Sequence, residues 1–175
     1  MSAAVVIFAI GNPSRGDDAL GPMLCGQLAA WLENQGLAAD FELIEDFQLQ
    51  IEHALDLQGP RLALFIDAAL GVDAAFCFRE IEPVAMPSHS THALPPEAVL
   101  AVCHAMGVMP PPAFVLGVRA ESFELGASLS ARAAAAGEAA FASLTTLCRQ
   151  AQLENWRQFA AGPISAMMPV SIAEC

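Results

Sequence analysis

The chain contains no lysine. Its seven cations are all arginine (15, 61, 79, 119, 132, 149 and 157), set against nineteen acids, so 175 residues carry a net charge of −12. Without a side-chain amine, Schiff-base chemistry and a lysine phosphate clamp are excluded. A nucleic-acid binder needs a basic footprint to displace counterions, and this charge has the opposite sign. An anionic membrane surface is disfavoured for the same reason. Charge of either sign is scarce: 15% of residues are charged and 55% hydrophobic, with a mean hydropathy of +0.49, which excludes an intrinsically disordered chain. Cysteine is sparse and scattered, at positions 25, 77, 103, 148 and 175, with no Cys-x-x-Cys pair and no zinc-knuckle spacing. Four of the five lie in apolar or helical runs, where a free cysteine serves as a small core residue. Cys175 is too isolated to interpret, and reduced thiols fit a cytoplasmic setting. Met1 to Ile10 has no basic n-region, so no signal peptide is expected. No apolar run reaches the roughly 18 residues of a membrane span.

A chain of this length accommodates one domain with one sizeable core. Short β-branched or apolar runs at Val5–Ile10, Phe41–Glu45, Leu62–Ile66, Phe76–Ile81 and Phe114–Val118 read as strands, bounded by Gly and Pro. Helical spacing marks Leu20–Asn34, stopped by Gly36, together with a short helix over Ile51–Leu57. Pro95 opens another helix that runs to about Met106, and Ser130–Gln150 is a long alanine-rich one. Strands alternating with helices imply an α/β fold. The expectation is a three-layer sandwich of about five strands, mostly parallel and twisted, with helices on both faces. Residues 1–152 are read as the domain, and 153–175 as a C-terminal tail that can be partly ordered. Ligands of such folds bind beyond the carboxyl ends of the strands, so the chemistry is sought there.

After the first strand comes Gly11-Asn12-Pro13-Ser14-Arg15-Gly16-Asp17-Asp18. The Gly-x4-Gly spacing imitates a phosphate loop, but Asp17-Asp18 stand where Lys and Ser/Thr are required and would repel a phosphate. Gly-x-Gly-x-x-Gly is absent too. The plain reading of Asp17-Asp18 is helix capping, for which one acid suffices. Glu45 and Asp46 follow the second strand, and Asp67 follows the third. Ser88-His89-Ser90-Thr91-His92 lies beyond the fourth. His53 and His104 fall inside helices and read as filler. Asp18, Asp67 and His92 are thus expected on one sheet edge. Two carboxylates and an imidazole there suit either an open divalent-metal site or proton transfer. No Gly-x-Ser-x-Gly elbow or His-Glu-x-x-His helix competes with them.

At these residues the chain resembles the [NiFe]-hydrogenase maturation endopeptidases, a family with a phosphorylase/hydrolase-like three-layer fold. Gly11, Asn12, Asp17, Asp18 and Gly21 stand in the register of its opening motif. Asp67 in Phe65-Ile66-Asp67-Ala68 matches its later Asp, and Thr91-His92 its histidine before a helix. Glu121 and Ser122 after the fifth strand also look like the family, and the likeness spans roughly residues 4 to 150. The resemblance implies that Asp18, Asp67 and His92 are catalytic, metal-contacting residues of an aspartic-type endopeptidase. Its activity would be removal of a C-terminal extension from the hydrogenase large-subunit precursor after nickel insertion. The nickel would be carried by the substrate, with no permanently bound cofactor, no nucleic acid and no membrane.

Two departures stand out. Ala19 follows the acidic pair where the family often has Gly. Asp46-Phe47-Gln48-Leu49-Gln50-Ile51-Glu52-His53 replaces a glycine-rich Asp-Gly-Gly-Thr-type loop. That variant resembles the branch serving cytoplasmic NAD-reducing, bidirectional hydrogenases. Asn12, Asp46, Phe47, Gln48 and Gln50 are accordingly expected to recognise the substrate. Two other functions fit the same residues: a non-cleaving assembly factor that binds the immature large subunit, and a metal-dependent hydrolase of small substrates.

Overall fold

Strand β1 (Val5–Ile10) is buried at every position, because both of its faces are covered. Val5 and Ile7 enter one apolar cluster, while Val6, Phe8 and Ile10 enter another. The same alternation divides β3 (Leu62–Ala69) and β5 (Ala113–Arg119): Leu64, Ile66, Phe114 and Leu116 face one way, Ala63, Phe65 and Val115 the other. Strands that are apolar on both faces are what a parallel sheet between helical layers requires. The computed structural model describes residues 3–84 and 94–162.

With β2 (Phe41–Asp46) and β4 (Phe76–Ile81), the sheet has the order β2-β1-β3-β5-β4. Four strands are parallel and β4 runs antiparallel to β5. This is the expected α/β sandwich. Helices α1 (Leu20–Gln35) and α3 (Ala131–Arg149) cover one face, while α2 (Pro96–Ala105) and the 3-10 turn Ile51–Ala54 cover the other. Leu20, Leu24, Leu28 and Leu32 form the buried stripe of α1, which ends at Gly36 in the left-handed region with φ 70°. On α3 the buried face is small, and at Gly137 an added Cβ would lie 3.0 Å from Met23 Cε. That spacing lets α1 and α3 approach closely.

Two expectations are corrected. Residues 153–160, assigned to the tail, form α4 (Leu153–Ala160), which packs on the sheet face covered by α3. Its Trp156 is fully buried edge-on against Phe114 and Phe78, and its indole N–H donates to Leu147 O at 3.0 Å. Leu153, Trp156 and Phe159 stand at helical spacing and pack on the core, but the pattern lasts only two turns before Gly162-Pro163, too short to stand out against the polar residues between them. The rest of that segment, 163–175, lies outside the described residues. The second correction concerns β4. Being antiparallel, it ends with Ile81 opposite Ala113, at the edge where β5 begins. The fourth strand therefore does not end on the edge that carries Asp18 and Asp67. The chain is back at that edge by Leu94 and Pro95.

Candidate functional site

The site is built where β1 hands over to α1. Gly11 takes φ 146°, and any Cβ there would collide with the Asp18 carbonyl oxygen; a Cβ on Gly21 would collide with the carbonyl of Ile10. The two glycines let the loop fold back onto the end of β1 and bring Asp18 over the sheet edge. Asn12 N–H then donates to Asp18 Oδ2 at 2.9 Å, and the Asn12 side chain accepts from Ser14 N–H at 2.9 Å.

The two adjacent aspartates have different jobs. Asp17 is 1% exposed, and its carboxylate accepts from Glu121 N–H (2.7 Å), Ser122 N–H (3.2 Å), Ser130 N–H (2.6 Å) and the Ser130 hydroxyl (2.9 Å). It caps no helix of its own strand–helix unit, contrary to the capping expectation. Instead it ties the loop after β5 to the loop after β1 and braces Ser130, the N-cap of α3. Burial pushes its pKa up, but the hydrogen bonds from Ser130, Glu121 and Ser122 outweigh that and hold it below the ordinary carboxylate range. Asp18 is no cap either: α1 has no side-chain cap bond.

Asp67 lies inside β3, which runs on to Ala69, opposite Gly117 of β5. Period-two alternation turns it to the face of Ala63 and Phe65, the face covered by α2. It is one residue beyond the Ala9–Ile66 pair and so reaches the edge where β1 ends. Its Oδ1 accepts Ala68 N–H at 2.8 Å. Burial pushes its pKa up, the Ala68 bond opposes this and the Asp18 charge adds to it, for a result of about 7.

Asp18 and Asp67 line one pocket of about 120 Å³, walled by Phe47, Gln48 and Leu49 on one side and by Leu94, Pro95 and Pro96 on the other. A second groove of about 330 Å³ adjoins it and shares Asp18, Arg15, Phe47 and Gln48. All five residues expected to recognise the substrate, Asn12, Asp46, Phe47, Gln48 and Gln50, line this groove. Two carboxylates in one pocket, one of them held near neutral pKa, repel each other when both are ionised, and a cation between them would relieve that repulsion. Among the described residues, no group of three or more His, Cys, Asp and Glu could hold a metal. His92 lies outside the described residues. In sequence it stands two positions before Leu94, which lines the pocket.

Two residues that sequence reasoning passed over belong to this neighbourhood. Arg15 lines both pockets and is the only cation to do so among the described residues; its Nε–H donates to Phe123 O at 3.3 Å. Its signal was available, since a cation inside an otherwise acidic opening loop is unusual in a chain with seven. His53, read as filler, sits beside Asp46, with Nε2 3.5 Å from Oδ2. No sequence signal separates it from an ordinary core histidine.

No protein-family model matches the chain, and no curated protein matches it. Solved structures do. It is similar to the [NiFe] hydrogenase maturation protease HycI from Thermococcus kodakarensis KOD1, at 22% identity over 85% of this chain and 93% of that one, with a TM-score of 0.61. The hydrogenase maturating endopeptidase HybD from E. coli is 18% identical over 84% of this chain and 93% of its own, with a TM-score of 0.62. A hydrogenase 2 maturation peptidase from a Thaumarchaeota archaeon is 20% identical over 81% and 96%, with a TM-score of 0.56. At these identities the likeness establishes a shared fold along nearly the whole length of each neighbour.

Proposed function

We propose that this protein is an endopeptidase of hydrogenase maturation, removing the C-terminal extension of a [NiFe]-hydrogenase large-subunit precursor once nickel has been inserted. The observation that carries the reading is the pairing of Asp18 and Asp67 in one pocket, flanked by a groove that gathers the whole expected recognition set. The shared fold with maturation proteases supports it.

In this reading Asp18 and Asp67 contact the nickel that arrives in the substrate, and His92 supplies a nitrogen ligand. Asp18 is held by Asn12 N–H in a fixed orientation, which lowers the ordering cost of binding. Asp67 retains a proton over part of the neutral range; a dication beside it favours the carboxylate, so docking expels that proton. Nickel is thereby recognised by charge as well as by geometry, and a precursor lacking it leaves Asp18 without a counter-charge and Asp67 holding its proton. Arg15 faces the same groove and is placed to hold a carbonyl or carboxylate of the peptide. The Asp46–Gln50 loop chooses the large subunit, and its departure from the glycine-rich form points to the precursor of an NAD-reducing hydrogenase in the cytoplasm. Among the described residues no helix is long and apolar enough to cross a membrane.

The test is to incubate the purified protein with nickel-loaded precursor and to follow precursor mass. Loss of the extension is expected. Stable binding without any mass change would favour a non-cleaving assembly factor. Cleavage of generic peptides or esters without the precursor would favour a hydrolase of small substrates.

A further inference from the structure

We propose that His53 is the positioning residue of the recognition loop: its imidazole clasps the two ends of Phe47–Gln50 and so sets the shape of the groove. The proposal rests on the maturation-protease reading and deepens it by naming what fixes specificity.

The ring is 8% exposed and lines neither pocket, so it can act on the substrate only through other residues. Its Nδ1 accepts the Gln50 N–H at 2.9 Å. Its other ring nitrogen, Nε2, stands 3.5 Å from Asp46 Oδ2. Asp46 in turn accepts Phe47 N–H on Oδ1 at 2.6 Å, and its carbonyl accepts Gly11 N–H at 3.1 Å. One side chain thus spans from residue 46 to residue 50, and through Asp46 it reaches the glycine that admits Asp18.

Space-filling alone does not account for a ring whose Nδ1 accepts from Gln50 while its Nε2 lies 3.5 Å from Asp46, on the other side of Phe47–Leu49. The ring's own position is fixed from behind. It packs edge-on against Phe8 of β1 at 5.5 Å between centroids, and a reciprocal cap with Gln50 holds its backbone. Within the loop, Leu49 is buried, while Phe47 is 62% exposed and walls both pockets. Leu49 and the clasp therefore present Phe47 and Gln48 to the groove at a defined position. Without the clasp, Phe47 and Gln48 sample several positions, and docking must bear the cost of ordering them.

The experiment compares the full-length protein with His53→Ala and His53→Asn in two measurements: hydrogen exchange at the Gln50 amide, and KM and kcat on nickel-loaded precursor. Asparagine carries an amide oxygen close to the Nδ1 position and keeps the acceptor for Gln50 while losing the reach to Asp46. In His53→Ala the Gln50 amide should exchange roughly tenfold faster or more. KM should rise roughly tenfold, with kcat within about threefold of wild type. His53→Asn should recover the Gln50 protection and part of the KM. Unchanged Gln50 protection in His53→Ala would overturn the proposal, as would lost protection with unchanged KM. A fall in kcat and thermal midpoint at constant KM would return His53 to core filler. Should His53→Ala fail to fold, His53→Asn decides alone: raised KM at unchanged kcat supports the clasp, and wild-type kinetics overturn it. If wild-type protein leaves the precursor intact, the endopeptidase reading fails, while the exchange comparison still decides whether the clasp exists.

Discussion

Replacing Asp67 by asparagine should make the protein more stable at neutral pH while destroying its function. The folded-state pKa of Asp67 is about 7, against 3.8 for an unperturbed aspartate, a difference of about 3 units. At about 1.4 kcal/mol per unit, this is a linkage of about 4 kcal/mol. The sign follows from which state holds the proton more tightly. Between about pH 4 and pH 7 the native carboxyl stays protonated while the unfolded one ionises, so stability falls as pH rises through that window. Above pH 7 the native state carries the cost of a half-buried charge beside Asp18. Asparagine keeps the shape and can still accept Ala68 N–H, but it does not titrate. The stability difference between Asp67→Asn and wild type should therefore be small near pH 4 and reach about 4 kcal/mol in favour of the variant by pH 8. For a chain of this size that is a rise of roughly 10 °C in thermal midpoint. Urea denaturation of both proteins from pH 4.5 to pH 8 measures it, with precursor cleavage assayed in parallel. A stability difference that does not change with pH would refute the reasoning, and so would a variant that still processes precursor at the wild-type rate.

Asp18→Asn should keep the Asn12 bond and shift stability by no more than about 1 kcal/mol, because no helix depends on Asp18 for a cap. Precursor cleavage should fall by more than about 100-fold if it is a direct ligand, as paired rate and melting measurements will show. Asp17→Asn should do the reverse, losing about 3 kcal/mol at pH 7 in urea denaturation, because an amide NH₂ would face backbone N–H groups that now donate to the carboxylate. Its contribution is present above about pH 4 and fades as pH drops through its lowered folded pKa, so wild type and variant should converge in acid. Trp156→Ala should cost about 3–5 kcal/mol in the same assay, whereas a tail residue would cost almost nothing.

Strand positions were legible because β-branched runs bounded by Gly and Pro have few alternatives, and four parallel strands follow from their alternation with helices. The direction of β4 was not read, although its mark is the short connection from Ala69 to Phe76, too short for the crossover a parallel strand requires. Its reversal matters, because it removes the simple argument that put His92 on the common edge. At the acidic pair, composition could say only that one acid exceeds what a cap requires. The division of labour depends on contacts with Ser130 and Glu121, more than a hundred residues away in sequence. Gly11 and Gly21 were visible as part of a pattern, but their reason, close backbone contact between the two ends of one loop, is a tertiary fact. His53 shows the limit most plainly: the role proposed for it rests on its ring standing between Gln50 and Asp46, which residue type and spacing do not encode.

A peptidase site at Asp18 and Asp67 that reads nickel in its substrate, as proposed, makes cleavage depend on the metal. The most direct measurement is the mass of a large-subunit precursor incubated with this protein, with and without nickel loaded. Loss of the C-terminal extension is expected from the nickel-loaded precursor, with an unchanged mass for the nickel-free one. Equal cleavage of both forms, or of neither, would contradict that dependence.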